Sequence, residues 1–346
     1  MRIRFGLSLM RALQILLLTA GVGVIPADKQ QDLRTLRPYT ASSAWNQPIG
    51  PNPRYDPYSE RMVATIGEAR NGGVLTSDPN QYSYPVYYAD AETPRYNVSC
   101  RKYKCTLYTP QGAVRTTMLP QVPIPSGARP SAGSDSSLIV IDLTNGDEYN
   151  LWQIEPTAEG GWSASNGSRY NLFWDGMPTE YGSRGAGLPY QAGLIRPHEI
   201  ERGYIDHALA FAYPTPARKR CVYPASKTDG RGEDRYHLPE GARLQLDPRL
   251  TEADFERWGL DRTGKIIARA MQKYGVFLID ISGRPKLIVE NLADNPFATR
   301  QWSEPGILLS AETVSPIPYT ALRVLALPAS YWDTSLDPLW HGQCHR

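Results

Sequence analysis

The 346-residue sequence predicts an all-β fold, a two-layer β-sandwich of jelly-roll type with a few peripheral helices, and three observations carry that expectation. Thirty Pro, 29 Gly and 21 Tyr against six Phe describe a turn-rich chain with many half-buried aromatics. An Asn145-Gly146 step joins two apolar runs, and Asn-Gly is the strongest short hairpin signal because a type I′ turn needs positive φ at both central residues. Only Leu250 to Gly275 shows sizeable helical periodicity.

The chain begins with Arg2, Arg4 and Arg11 ahead of an apolar run from Ala12 to Ile25, and Ile25-Pro26-Ala27 offers a small residue before Asp28. Residues 1–27 therefore read as a secretory signal. The run is shorter than the ~20 apolar residues of a spanning helix and contains Gly21 and Gly23, which argues against an uncleaved anchor. Residues 28–346 are then one secreted domain, extracellular or periplasmic, with no membrane span. The leader carries three Arg and no acid, so the formal charge of +2 drops close to zero without it. The one basic cluster, Arg218-Lys219-Arg220, fits a solvated turn, and no nucleic-acid partner is indicated. In an oxidising compartment four cysteines favour two disulfides, preferred as Cys100 with Cys105 and Cys221 with Cys344. Zinc is the weaker alternative, since no Cys-x2-Cys spacing exists and the five His are dispersed.

Along the chain, Pro38, Pro48, Pro51, Pro53 and Pro57 forbid a regular helix over residues 37–57 and predict an extended wrap. A helix follows, capped by Ser59, with Met62, Val63 and Ile66 as its stripe and Gly72-Gly73 as its stop. Tyr82 to Ala89 and Val98 to Tyr108 read as strands. Leu138 to Leu143 and the residues after Asp147 form the clearest hairpin. Taken as a two-residue loop, Asn145-Gly146 sets Asp142 opposite Tyr149, Ile141 opposite Asn150 and Ile139 opposite Trp152. Leu138, Val140, Asp142, Tyr149, Leu151 and Gln153 then share one face, and Ile139, Ile141, Glu148, Asn150 and Trp152 the other. Pro197 to Arg202 fits a short helix ending at Gly203. From Tyr204 to Tyr213, Ile205, His207, Leu209, Phe211 and Tyr213 face one side, and Asp206, Ala208, Ala210 and Ala212 the other. Thr251 and Asp254 suggest a capping box. A further helix from about Thr263 buries Ile266, Ile267, Ala270, Met271 and Tyr274, and Gly275 ends it. Val276 to Ile281 and Lys286 to Val289 suggest a second hairpin. No internal repeat or composition break divides the domain.

Several motifs are excluded by inspection. Gly259 to Lys265 has P-loop spacing, but Ile266 stands where Ser or Thr would hold Mg²⁺ and no strand precedes it. No Gly-x-Ser-x-Gly, His-Glu-x-x-His or Cys-x-x-Cys occurs. His207 is the best single candidate for a base, its alternative being a hydrogen-bonded core histidine. Asp142 and Glu148 lie on opposite faces and cannot form a glycosidase pair together, so each would need a partner such as Asp280 or Asp175. The other reading of each is a strand-end acid in water. Trp162 and Trp174, set among Gly and Ser, suit stacking on sugar rings, with Gln153 and Arg169 reading hydroxyls or carboxylates; core packing is favoured for Trp152.

At Ser43-Ala-Trp-Asn-Gln-Pro48, Ser134 to Asp142, Glu148 to Gln153, Ile205-Asp-His-Ala-Leu209, Gly241 to Leu246 and Ala268 to Gly275, the chain resembles a family of secreted, mostly uncharacterised bacterial proteins. The resemblance covers most of the chain after the leader. It implies a β-rich secreted protein and carries no settled activity. Members often show Asp-Gly-His where this chain has Ser134-Asp135-Ser136-Ser137.

The expectation is a polysaccharide-active enzyme, first a glycoside hydrolase, with His207, Asp142, Tyr149 and Asp280 as catalytic residues in a cleft at the polar ends of central strands. A lyase with His207 or Tyr149 as base is the alternative, and a non-catalytic binder of polysaccharide or cell-envelope glycan the second class. No cofactor is expected, and no pattern indicates a metal, Ca²⁺ included.

Overall fold

The clearest apolar run, Leu138–Asp142, and the alternating stretch Leu209–Tyr213 lie inside two different sheets, flanked on both sides. The computed structural model describes residues 32–178, 180–328 and 332–333. The first half of the chain runs α1 (Ser59–Gly67), β1 (Val86–Ala89), β2 (Arg95–Cys100), β3 (Cys105–Thr109), β4 (Gly112–Thr116), β5 (Met118–Pro123), β6 (Leu138–Asp142), β7 (Asp147–Trp152), β8 (Glu155–Pro156), β9 (Trp162–Ala164) and β10 (Asn166–Asn171). The second half runs α2 (Pro197–Arg202), β11 (Leu209–Tyr213), β12 (Arg220–Cys221), β13 (Arg243–Leu246), α3 (Glu252–Arg257), α4 (Arg262–Lys273), β14 (Val276–Ile281), β15 (Lys286–Leu287), β16 (Leu322–Val324) and β17 (Trp332–Asp333).

The fold is β-rich with few helices. Three mixed sheets have the orders β1-β6-β7-β10-β3-β4, β15-β11-β14-β13-β16 and β5-β2-β9-β8. Jelly-roll connectivity is antiparallel, whereas β1 with β6, β3 with β10, β2 with β9 and β11 with β14 pair in parallel. Parallel pairs need crossovers, and α4 supplies the last leg of the one that leads into β14. No helix among the described residues is long and apolar enough to cross a membrane.

Alternation distributes the side chains among three cores. Leu209, Phe211 and Tyr213 of β11 pack with Leu278 of β14 against Met62 and Ile66 of α1 and Ile267 and Met271 of α4. Ala208, Ala210 and Ala212 turn the other way, into a second core that holds Ile139 and Ile141 of β6 and Trp45 of the N-terminal wrap. Leu138, Val140, Tyr149 and Leu151 face Val98, Leu119 and Val122 of the four-stranded sheet. The small Ala face of β11 allows close sheet-to-sheet approach, and the large face fills the space under the helices.

Four local expectations need correction. The first hairpin pairs Val140 with Tyr149 and Ile141 with Glu148, two residues away from the expected register. Of the turn residues only Gly146 has positive φ, at 76°, so no type I′ turn forms. The Asp142 carboxylate accepts the Thr144 N–H (3.0 Å) and hydroxyl (2.6 Å), while the Leu143 N–H donates to Ala89 O in β1 (2.8 Å). The loop is therefore four residues long. A shift of two preserves parity, so the face assignments hold. Second, β14 and β15 do not pair with each other, because β11 lies between them. Third, Ser59 sits inside α1 rather than capping it, and its hydroxyl accepts the Val324 N–H at 2.8 Å. Fourth, the strand expected from Tyr204 begins only at Leu209. The Thr251–Asp254 capping box forms.

Cys100 and Cys105 are disulfide-bonded. Cys221 is buried and is not a free thiol, and its expected partner Cys344 lies outside the described residues, as does the expected leader 1–27.

Candidate functional site

Strand β14 gathers acids from both of its edges. On one side the Gly241 N–H donates to Leu278 O (2.8 Å) and the Leu278 N–H to Ala242 O (2.9 Å), which sets Glu240 beside the strand. On the other, Ala186 N–H donates to Ile279 O and Ser226 N–H to Ala186 O (both 2.9 Å), stitching the segment that carries Asp229 to the same end. One carboxylate oxygen from each of Asp229, Glu240 and Asp280 lies within 4.8 Å of the others. Gly185 closes over them. A Cβ there would sit 2.4 Å from Asp229 Oδ1 and 2.7 Å from Glu240 Oε1, so a side chain is excluded.

The three acids occupy unlike surroundings. Asp229 is exposed, Asp280 half-buried and Glu240 0% exposed. Among the described residues neither oxygen of Glu240 meets a hydrogen-bond donor, its polar neighbour Asp229 being an acceptor unless one of the two carries a proton. Burial first, then the charges of Asp229 and Asp280, raise the Glu240 carboxyl well above the ordinary range. Burial and the Asp229 charge push Asp280 up to about 8, opposed by Lys227 and by backbone N–H donors, Ile281 among them at 2.9 Å. The Lys227 ammonium donates to the carbonyls of Arg184 and Gly185 and, among the described residues, forms no ion pair with the three acids. The buried Arg184 guanidinium is committed to Ala192 O (2.8 Å) and Tyr190 O (2.6 Å). An all-carboxylate set with no nitrogen or sulfur ligand suits protons or a hard cation such as Ca²⁺.

No protein-family model, curated protein or solved structure matches this chain.

Of the residues nominated from sequence, Asp280 alone belongs to this cluster. His207 is buried ahead of β11, with Nε2 2.8 Å from Glu199 Oε1 and Nδ1 2.8 Å from Ala208 O. Asp142 is fully buried and paired with Arg95 at 2.9 Å. Glu148, at the same end of the hairpin, accepts from Tyr39 Oη (2.8 Å), Asn150 Nδ2 (2.6 Å) and the Gln191 N–H (3.0 Å). At that end of the hairpin the wrap, through Tyr39, and the segment around Gln191 therefore cover the Glu148 carboxylate. Tyr149 faces the third core, and burial pushes its hydroxyl up to about 12. Gln153 donates to Ser134 O at 3.1 Å. Arg169 donates to Tyr108 O at 2.9 Å and lies 3.9 Å from Asp147. Trp162 and Trp174 are half-buried, the former against the third core.

Asp229 and Glu240 escaped the sequence reading because neither lies on a periodic element. The one signal available is that each precedes a glycine, Gly230 and Gly241. Two surface depressions, one lined by Tyr55, Tyr58, Arg61 and Arg323 and the other by Gly203, Glu252, Arg262 and Arg269, contain none of the cluster residues.

Proposed function

We propose that the protein is an exported polysaccharide-active enzyme, a glycoside hydrolase whose two working carboxylates are Asp229 and Asp280. One observation carries this reading: the two acids share a spot while one stands in water and the other is half-buried against the enclosed Glu240. Unlike surroundings divide acid from base, so Asp280 protonates the leaving oxygen and the exposed Asp229 attacks the sugar or activates water. Their oxygens, within 4.8 Å, are nearer the about 5–5.5 Å of the retaining arrangement than the about 6.5–9.5 Å of the inverting one. Export is supported by the leader, by the Cys100–Cys105 disulfide and by the resemblance to secreted proteins. The half-buried Trp162 and Trp174 support a glycan substrate. The sandwich reading rests on the core shared by β6 and β11, across which two sheets face each other.

Lys227 beside the acids favours a second reading, elimination at a uronate whose carboxylate the ammonium neutralises. The purified protein, offered neutral and acidic polysaccharides, separates the possibilities. New reducing ends without near-ultraviolet absorbance mark a hydrolase, and unsaturated absorbing ends mark a lyase. Asp280→Asn and Asp229→Asn are expected to lower turnover by ~10² or more with the melting temperature kept. Glycan retention without any cleavage would sink the enzymatic reading.

A further inference from the structure

We infer that Asp229, Glu240 and Asp280 form a binding site for a divalent cation that prefers oxygen ligands, of the Ca²⁺ class. A cluster of acids alone would not establish this. The decisive group is Glu240, which is 0% exposed, has no donor for either oxygen among the described residues, and lies with one oxygen within 4.8 Å of those of Asp229 and Asp280. A buried carboxylate without a donor needs a positive charge or a proton beside it. The nearest ammonium, Lys227, is held on the Arg184 and Gly185 carbonyls and does not fill the space between the acids. Gly185 keeps that space open, since any side chain there would run into the oxygens of Asp229 and Glu240.

The dimensions admit calcium. Oxygens bound to one Ca²⁺ at about 2.3–2.6 Å can stand up to about 4.6–5.2 Å apart, so three oxygens within 4.8 Å of one another can share such an ion. Exposed Asp229 gives the ion a route in from solvent, and three carboxylates leave positions free for water or a ligand oxygen.

This inference uses the residues of the hydrolase reading and adds regulation to it, because carboxylates occupied by a cation are withdrawn from acid–base chemistry. Its test needs no substrate. Chelator-stripped protein is unfolded by heat at neutral pH in rising CaCl₂, and calorimetry follows the same titration. The melting temperature is expected to climb with concentration, as for any ligand that binds only the folded state, with one ion per chain. Glu240→Gln removes an unpartnered buried charge, so it should melt no lower than the wild type in chelator and no longer respond to calcium. Asp229→Asn, on the exposed side, should blunt the response. A wild-type melting temperature indifferent to both CaCl₂ and MgCl₂, or an undiminished response in both variants, overturns the site. A calcium response without glycan cleavage keeps the cation site and sinks the hydrolase, and cleavage without a response does the reverse. Where both stand, calcium lowers turnover.

Discussion

Two buried acids separate scaffold from site in this protein. Glu199 and Glu240 are both 0% exposed. Around Glu199 stand His207 at 2.8 Å, Arg196 at 3.2 Å and Arg202 at 3.8 Å, and the Arg196 backbone N–H donates to its second oxygen at 3.0 Å. Burial alone would raise its pKa, but His207 and Arg196 hold it well below the carboxylate range. Around Glu240 stand two more acids and, among the described residues, no donor. Both side chains have lost water; only one has been given a replacement. A buried charge with its partners in place orients a core, whereas a buried charge lacking them is an acceptor waiting for a ligand or a proton.

The largest expected effect tests this contrast directly. Glu199→Ala leaves Arg196 and His207 buried without their carboxylate and should cost about 3–5 kcal/mol in urea unfolding, while Glu240→Gln should cost nothing. A reversal of that order would dissolve the distinction. Next comes a pH effect from Glu290, which shares Arg196 with Glu199. Burial pushes Glu290 up to about 8, although Arg196 opposes the shift, because Arg196 is already engaged by Glu199. The folded state thus holds a proton that the unfolded chain releases near its ordinary value of 4.5. Stability contributed by this group is present below that value and is lost as pH rises from 4.5 to about 8. Glu290→Gln should flatten the unfolding free energy across that window, and an unchanged slope would show that Glu290 is ionised when folded. The smallest effect concerns Asp142, whose partner Arg95 is partly exposed. Asp142→Asn keeps one acceptor for the Thr144 turn and should cost only about 1 kcal/mol. A loss as large as that of Glu199→Ala would place Asp142 among the fully enclosed charges.

Much of the scaffold was legible because it follows from neighbours in sequence. The alternation of Leu209, Phe211 and Tyr213 against Ala208, Ala210 and Ala212 assigned both faces of β11 before any partner was known. The helix from Pro197 and the Thr251 capping box were equally local. The first hairpin kept its faces despite the wrong register, since a shift of two leaves parity intact. His207 was nominated as a base, with a hydrogen-bonded core histidine as its alternative, and the sequence did not say that Glu199 of α2 would stand at its Nε2.

What the sequence determined by itself, then, is the β-rich class, the inward sides of β6, β7 and β11, the span of α2 and the start of α3, all properties decided within a few residues. Tertiary structure decided the rest. β1 captured the Leu143 N–H and lengthened the hairpin loop, and β11 entered between β14 and β15 where a hairpin was expected. Backbone groups of Leu278 and Ile279 in β14 drew in the segments that carry Glu240 and, through Ala186 and Ser226, Gly185 and Asp229. Those residues carry no periodic signal, because loop acids meet only when the strands that anchor their loops have found their neighbours. Strand order is settled by burial and hydrogen bonding between distant segments, and no local pattern encodes it.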